Sequence, residues 1–357
     1  MISPETPDGG SPSCPLCSST EIAVHLEVPV AAGGPARISR VLKCRPCSFR
    51  FTHPRPSAEE IARLYPETYG PYQRGELSGS EVFNRGASTR DRIKNRLKWC
   101  VLRQRYGYAD LPPPQASAAV NRLGDLLHRP LGGLFYRAMR YYYPRIPQGR
   151  FGGKALDVGC GNGAHLLLLK RLGWEVAGFD LADHTVPEVR AAGIPVHTGA
   201  LEELVSRAGG FDLITMWHVL EHVANPRQTL RSLRRLLAPE GVLMLEVPCS
   251  DSLAAKLFGR HWVGYDLPRH LSHFSVKTAR RLLDEEGFAV VRQGWSWKQH
   301  LPASLSRARQ ARTRPRSDGR WLERPVSRFC LRAVGHLLAL AGAGEAIHLT
   351  AIKRGVE

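Results

Sequence analysis

The segment from Asp157 to Gly163 combines one carboxylate with three glycines that alternate along the chain. The apolar residues before it predict a buried strand, and the leucines of 164–172 predict a buried helix. A strand, a glycine turn and a helix bring the backbone close to a nucleotide-like ligand, because a Cβ atom in the turn would collide with it. The third glycine comes one residue too early for the dinucleotide pattern G-x-G-x-x-G, so the turn alone predicts no particular nucleotide.

Asp180 ends the next apolar run, 23 residues after Asp157. In sheets with helices on both faces, an acid about 20 residues beyond the glycine turn holds ribose hydroxyls. The pair of acids therefore predicts a ligand that contains a ribose.

The sequence His218-Val-Leu-Glu221-His222 directly follows the strand-like run FDLITMW. Ligands of open α/β sheets lie at the carboxyl ends of strands, and an imidazole with a pKa of about 6.5 accepts protons at neutral pH. The motif therefore predicts general-base chemistry, with simple packing of His222 as the alternative.

The apolar run VLMLEVP at 242–248 predicts the fifth strand of the sheet, and the loop after it carries aromatic, basic and imidazole side chains together. We predict that it lines a substrate pocket, although structural roles fit the same residue types. Its candidate residues are Trp262, Tyr265, Arg269, His270 and His273.

Two C-x-x-C pairs near the start of the chain are separated by 26 residues. Each pair presents two thiolates from one tight turn, and two such turns complete a closed tetrahedron around a metal. The sequence predicts a structural zinc site at Cys14, Cys17, Cys44 and Cys47. Cysteines used in this way also predict a reducing compartment, the cytoplasm.

The net charge of +18 is concentrated in two segments. Residues 90–150 hold 13 Lys and Arg against 3 acids, and residues 307–332 hold 9 Arg against 2 acids. Such segments predict an acidic partner, which is nucleic acid, anionic lipid at the inner face of the membrane, or a phosphorylated substrate; a solvated basic surface is the alternative. No apolar run approaches ~18 residues, and the first residues do not resemble a secretory signal.

Strands alternate with amphipathic helices from residue 151 onward, which predicts an α/β fold with a seven-stranded, mostly parallel sheet. We predict a disordered start and zinc ribbon at 1–56, a helical linker or lid at 57–150, a core at 151–298, a basic segment with an apolar helix at 299–345, and the final core strand at 346–357.

These motifs, in this order, resemble the Rossmann-like class I S-adenosylmethionine (SAM) dependent methyltransferases. ALDVGCGNG is similar to the family's glycine motif, GFDL to its ribose motif, and FDLITMWHVLEHV to its strand-four motif. The cysteine pairs and PRHLSHFS further resemble a subgroup that includes sugar C- and O-methyltransferases. The resemblance implies a SAM site formed by Asp157, Gly159, Cys160, Gly161, Gly163, Asp180, Leu181, Met216, Trp217 and His218.

The same resemblance implies that His222 is the base, oriented by Glu221, with His218 beside it. It leaves the acceptor open: a small molecule, a sugar, or a lipid-linked or natural-product intermediate. Three alternatives remain. The chain could be an RNA methyltransferase that binds RNA through its basic segments, a non-catalytic protein with the SAM-binding fold, or an NAD-dependent reductase. A divalent metal bound by Glu221, His222, His270 and His273, as in some related O-methyltransferases, is a further possibility. The oligomeric state cannot be predicted from these residues.

Overall fold

A computed structural model describes most of the 357-residue chain. The described residues are 12–30, 37–65, 83, 88–142, 146–147, 153–181, 183–184, 187–296, 300–312, 334–335, 337–339 and 341–355. Residues 1–11, where the sequence predicts a disordered start, lie outside them, as do most of the second basic segment and part of the apolar helix that follows it.

The elements follow the predicted alternation of strands and helices. The strands are β1 (Ile22–Val30), β2 (Arg37–Cys44), β3 (Arg50–His53), β4 (Lys154–Val158), β5 (Glu175–Asp180), β6 (Val196–Thr198), β7 (Phe211–Trp217), β8 (Leu237–Pro248), β9 (Ser272–His273), β10 (Phe288–Ser296) and β11 (Ala346–Lys353). The helices are α1 (Ala58–Leu64), α2 (Thr89–Tyr106), α3 (Ala118–Tyr142), α4 (Ala164–Arg171), α5 (Pro187–Ala191), α6 (Leu201–Arg207), α7 (Pro226–Leu236), α8 (Leu253–Phe258), α9 (Val276–Glu285) and α10 (His300–Arg312).

Seven strands form one mixed sheet in the order β10-β11-β8-β7-β4-β5-β6. The ladders of β4 with β5 and of β5 with β6 are parallel, whereas β10 and β11 pair antiparallel. A second sheet has the order β1-β2-β3-β9. The α/β fold and the seven strands predicted from the sequence are confirmed.

Backbone contacts divide the chain into two compact units. Unit 1 contains Met1–Pro66, Met216–Arg235 and Met244–Glu357. Unit 2 contains Glu67–Thr215 and Leu236–Leu243. The domain boundaries proposed from the sequence stay a prediction.

The core of unit 2 lies around the glycine turn. Leu156 of β4 and Leu166 and Leu169 of α4 are fully buried, as the apolar runs on either side of the turn predicted. Removing such side chains from water contributes about 1.5–3 kcal/mol each, which holds the strand and the helix on either side of the glycines.

One boundary differs from the sequence prediction. The leucines of NPRQTLRSLRRLLAPEG predict a helix that continues to the Pro239-Glu-Gly241 turn, but α7 ends at Leu236 and β8 begins at Leu237. Gly241 thus lies inside β8, where a Cβ atom would lie 2.7 Å from the carbonyl oxygen of Phe211, so the close approach of the two backbones requires glycine.

In unit 1 a compact apolar cluster includes Val41, Ala254, Trp262, Tyr265 and Leu301. Two of its members, Trp262 and Tyr265, were predicted to line a substrate pocket, and both are buried within the cluster. None of the helices in the described part of the chain is long and apolar enough to cross a membrane.

Candidate active site

The glycine turn of unit 2 adopts a backbone that other residues reach only with strain. Gly159, Gly161 and Gly163 have φ angles of 75°, 52° and 83°. At Gly163 a Cβ atom would also lie 2.5 Å from Cγ2 of Val189, closer than any real contact. Gly163 is therefore required by close packing against α5, and the three positive φ angles give the turn a backbone that a ligand can approach directly.

The two predicted acids hold this turn. Asp157 is buried and accepts a hydrogen bond of 2.6 Å from Oγ1 of Thr215. Asp180 accepts from the backbone N–H of Gly161 through Oδ2 and from that of Leu181 through Oδ1, both at 2.7 Å. The structure thus brings the glycines and both acids together in unit 2.

Cys160, Met216 and Trp217 complete the predicted cofactor residues with apolar character. Cys160 is buried, and burial raises the pKa of its thiol, so it stays a neutral packing residue. Met216 is fully buried, and the ring of Trp217 lies 5.4 Å from that of His348. Both residues begin unit 1 at the end of β7.

His218 stands in unit 1 between two buried carboxylates. Its Nδ1 lies 3.2 Å from Oε1 of Glu221, and its Nε2 lies 3.0 Å from Oε1 of Glu246. Each ring nitrogen of His218 therefore faces a carboxylate oxygen, and an imidazolium at this position would donate to both. Its φ of 58° is strained for a non-glycine residue, which is characteristic of functional sites.

Glu221 is held ionised in spite of its burial. Burial alone would raise its pKa, but the hydrogen bond from His218 and the charges of the nearby imidazoles outweigh it and keep the pKa below its ordinary value. Oε1 contacts His218, whereas the buried Oε2 has no hydrogen-bond partner among the described residues. An unpartnered carboxylate oxygen in the interior is costly, so its presence here points to a ligand or a proton donor.

One ring nitrogen of His222, Nε2, has no hydrogen-bond partner among the described residues. Nδ1 lies 3.1 Å from the carbonyl oxygen of Arg269 and 2.7 Å from the hydroxyl oxygen of Tyr65. Since a carbonyl oxygen only accepts, Nδ1 carries the proton and Nε2 keeps its lone pair. Burial, followed by repulsion from His270, lowers the pKa of His222 to about 4, so the ring is neutral near pH 7.

His270 has the same arrangement. Its Nδ1 lies 2.9 Å from the carbonyl oxygen of Gly264, while Nε2 lies 4.0 Å from Oε1 of Glu221 and 3.8 Å from Oδ2 of Asp266. The rings of His222 and His270 meet edge to face at 4.5 Å. Two imidazoles and one carboxylate therefore converge in unit 1.

The ligand atoms of Glu221, His222 and His270 all lie within 4.8 Å of one another. Each imidazole contacts a backbone carbonyl through its other nitrogen, as histidines that bind metals do. His273, included in the set considered from the sequence, is turned away from it: its Nε2 lies 3.0 Å from Oγ1 of Thr52. The donor set fits a divalent cation as well as a general base.

Arg269, another residue predicted to contact the substrate, supports this cluster through its backbone. Arg269 forms a two-point ion pair with Asp266 at 2.8 and 2.6 Å, which fixes the loop whose carbonyl contacts His222. Sequence analysis missed Glu246 and Thr52. Glu246 had a visible signal, because it is a carboxylate inside the apolar strand VLMLEVP, whereas a threonine in a strand gives none.

The four cysteines converge as predicted. The Sγ atoms of Cys14 and Cys47, and those of Cys17 and Cys44, are 3.5 Å apart. A tetrahedral zinc bound at about 2.3 Å places its sulfurs about 3.8 Å apart, so the cluster fits zinc.

Both turns of the zinc site have the same backbone. The residue after each pair, Ser18 or Ser48, has a φ near 60° and donates its N–H to the carbonyl of the first cysteine in that pair. Burial raises the pKa of Cys14 to about 11, so a bound cation would have to stabilise that thiolate.

Within unit 1 the zinc ribbon contacts the segment that carries part of the histidine cluster, which consists of Glu221, His222 and His270. β3 pairs with β9, joining Arg50 to His273 and Phe51 to Ser272. Thr52 donates to the carbonyl oxygen of His270, and the N–H groups of Leu271 and Ser272 both donate to the carbonyl oxygen of Glu221. The third strand of the ribbon thereby positions the segment that carries His270.

Comparison with known proteins gives consistent matches. A family model described as a methyltransferase domain matches residues 120–293. The ubiquinone biosynthesis O-methyltransferase of Xanthomonas axonopodis pv. citri (strain 306) is 32% identical over 171 residues, covering 44% of this chain and 70% of that protein. The protein of the same name from Xanthomonas oryzae pv. oryzae (strain PXO99A) is 34% identical over 134 residues, covering 34% of this chain and 55% of that protein. The chain thus spans about half the length of the first curated relatives it matches.

Solved structures also match. A SAM-dependent methyltransferase from Archaeoglobus fulgidus is 19% identical, with a TM-score of 0.40, covering 64% of this chain and 98% of that one. An S-adenosylmethionine dependent methyltransferase from Mesorhizobium loti is 19% identical, with a TM-score of 0.39, covering 60% of this chain and 96% of that one.

Proposed function

This chain belongs to the class I SAM-dependent methyltransferases, and from that premise we propose that it transfers a methyl group from SAM to a small acceptor. The glycine turn of unit 2 is the proposed cofactor site, with Asp157 and Asp180 bracing the loop. When bound there, SAM supplies a methyl group already activated by its sulfonium. The protein has then to position the acceptor and remove its proton.

The observation that carries the proposed chemistry is the free Nε2 of His222. Its Nδ1 is occupied by Arg269 and Tyr65, so the ring is fixed in the tautomer that accepts at Nε2. An acceptor oxygen that gains a methyl group becomes strongly acidic, so a neutral imidazole whose pKa is about 4 is a sufficient proton acceptor. Glu221 holds the positive charge that develops on the imidazole.

A hydroxyl-bearing acceptor is the proposed substrate class. The relatives are named as O-methyltransferases of ubiquinone biosynthesis, which supports transfer to oxygen on a small molecule. Sugars and lipid-linked or natural-product intermediates with a free hydroxyl belong to this class, and the names of the relatives do not select among them. An RNA acceptor would need stacking aromatics among the basic residues, and the sequence has no motif of that kind.

A divalent cation at Glu221, His222 and His270 is the second candidate role for the cluster, favoured by the unpartnered Oε2 of Glu221. Such an ion would polarise the acceptor oxygen and lower the pKa of its hydroxyl. In that case His222 would be a ligand and not the base.

Titration calorimetry tests the cofactor assignment. We expect SAM to bind and NAD not to bind. Gly163→Ala should weaken SAM binding at least about tenfold, equivalent to about 1.4 kcal/mol, because the new Cβ atom meets Val189 and displaces the turn.

Gly193→Ala is the matched control, since Gly193 has a similar φ of 64° with no atom within 4 Å of its Cβ position. Both variants should lose about 1 kcal/mol of stability from backbone strain, and only Gly163→Ala should lose SAM affinity. Equal SAM affinity in the two variants, or tight binding of NAD, would refute the cofactor assignment.

A further inference from the structure

Helix α3 exposes a row of leucines to solvent. Leu123, Leu126, Leu131 and Leu134 are 42, 64, 42 and 69% exposed. At about 100° per residue these four positions fall within an arc of about 140°, so they form one face of the helix. We call this the leucine face of α3.

The side of α3 that begins beside this face at Gly124 and continues to the opposite side already packs in unit 2. At Gly124 a Cβ atom would lie 2.5 Å from Cγ of Arg96, so the glycine allows α2 and α3 to approach closely. Asp125 then binds Arg96 through two hydrogen bonds of 2.8 Å, and the rings of Tyr106 and Tyr136 meet at 5.6 Å. The orientation of α3 is therefore set by α2, and the leucines point away from that contact.

Basic side chains border the leucine face. Arg122 and Arg129 are exposed and follow one edge of the face. Asp125 is the one acidic residue in the sequence of α3, and it is neutralised by Arg96. Leucines beside exposed arginines, with one acid that is bound to Arg96, are the pattern of a helix that lies in the surface of an anionic membrane.

A basic cavity lies beside this edge. It has a volume of about 470 Å³, and its basic lining consists of Arg96, Arg103, His128 and Arg129 with one acid, Asp125, which is bound to Arg96. Arg103 stacks on Trp99 at 4.7 Å and uses its Nε for the carbonyl oxygen of Ala109, and among the described residues its terminal nitrogens have no hydrogen-bond partner. The cavity can take a phosphate from a lipid headgroup while the leucines enter the apolar layer.

We propose that the leucine face of α3, with Arg122 and Arg129, docks on the surface of a bilayer that contains anionic phospholipid. The positive charge of Arg122 and Arg129 favours an anionic membrane over a second copy of this chain as the partner. A second copy of this chain would bring the same arginines against one another, whereas phospholipid headgroups bring negative charge to them. The contact goes beyond methyl transfer, and it is measured without SAM or acceptor.

Vesicle flotation tests the contact. We expect the full chain to bind vesicles of phosphatidylcholine mixed with phosphatidylglycerol at low salt, and to leave them at about 1 M salt, where charges are screened within about 3 Å. Vesicles of phosphatidylcholine alone should bind weakly. Replacing Arg122 and Arg129 by alanine should weaken binding about fivefold for each arginine.

The double variant Leu126→Glu, Leu134→Glu should abolish binding at the same lipid concentration. Leu257→Glu is the matched control, because Leu257 is 67% exposed on α8 and lies outside this face. All three positions are exposed, so the variants should keep the wild-type thermal midpoint, which circular dichroism checks.

Two results would overturn the proposal. One is vesicle binding that is absent, or that is unchanged in the double leucine variant. The other is a concentration-dependent dimer, seen by light scattering and removed by the same variant, which would assign the face to a second copy of the chain.

Discussion

Replacing His222 with asparagine is expected to lower kcat by about 10²- to 10⁴-fold while leaving the dissociation constant for SAM unchanged. The asparagine amide keeps a donor near the carbonyl oxygen of Arg269, so the loop stays in place. The variant lacks the nitrogen that accepts the proton. Single-turnover kinetics and titration calorimetry measure the two quantities separately.

Tyr65→Phe is the milder companion variant. The phenol oxygen is 2.7 Å from Nδ1 of His222, and its removal takes away one of the two contacts that hold the ring. We expect a loss of about tenfold in kcat, between wild type and the asparagine variant. An asparagine variant that keeps kcat within about threefold of wild type would remove His222 from the chemistry.

A chelator distinguishes the base from the cation at this cluster. If His222 is the base, activity survives chelation for as long as the ribbon keeps its zinc, which metal analysis follows. Loss of activity that Mg²⁺ or Mn²⁺ restores and Zn²⁺ does not would assign Glu221, His222 and His270 to a divalent cation.

Replacing Cys44 with serine is expected to remove the bound zinc, lower the free energy of unfolding by about 4 kcal/mol, and reduce methyl transfer at least about 100-fold. Cys44 ends β2, and the turn after it leads into β3. Because β3 pairs with β9 and Thr52 holds the carbonyl of His270, loss of the metal should displace an imidazole of the cluster.

Cys249→Ser is the control for burying a serine hydroxyl. Cys249 is as deeply buried in unit 1 as Cys44, and it stands apart from the four-cysteine cluster. It should keep its zinc and most of its activity. A Cys44 variant without zinc that still transfers methyl groups at the wild-type rate would show that the ribbon does not position the cluster.

The parts of this molecule that repeat with a regular period were predictable. The strands and helices on either side of Asp157 and Asp180 follow from apolar runs and turn residues, and the zinc cluster follows from the spacing of four cysteines. In both cases the signal is local, so a short window of sequence contains it.

The construction of the histidine cluster was not predictable. β9 has two residues and pairs with β3, more than 200 positions earlier in the chain, and neither strand shows a pattern that indicates its partner. The two carboxylates that flank His218 come from the segment just after it and from β8, and nothing in the sequence indicated that Glu246 would lie 3.0 Å from its Nε2. Long-range contacts of this kind depend on tertiary packing, which composition and spacing do not encode.

The packing of Trp262 and Tyr265 was likewise not predictable from the sequence. Aromatic residues in a loop rich in histidine suggest a pocket, yet both pack into the apolar cluster that supports the loop. Their rings meet at 5.0 Å and hold in place the segment before Arg269. Their predicted place at a substrate pocket stays a prediction.

Transfer of a labelled methyl group tests the central claim most directly. The protein is incubated with SAM labelled in its methyl group and with separated lipid, glycan, RNA and small-molecule fractions of a lysate. We expect label in a small-molecule or lipid-linked fraction, with an equal amount of S-adenosylhomocysteine, and loss of both with the asparagine variant of His222. SAM that binds without any label leaving it would contradict the account and identify a non-catalytic scaffold, and label in the RNA fraction would contradict the proposed acceptor.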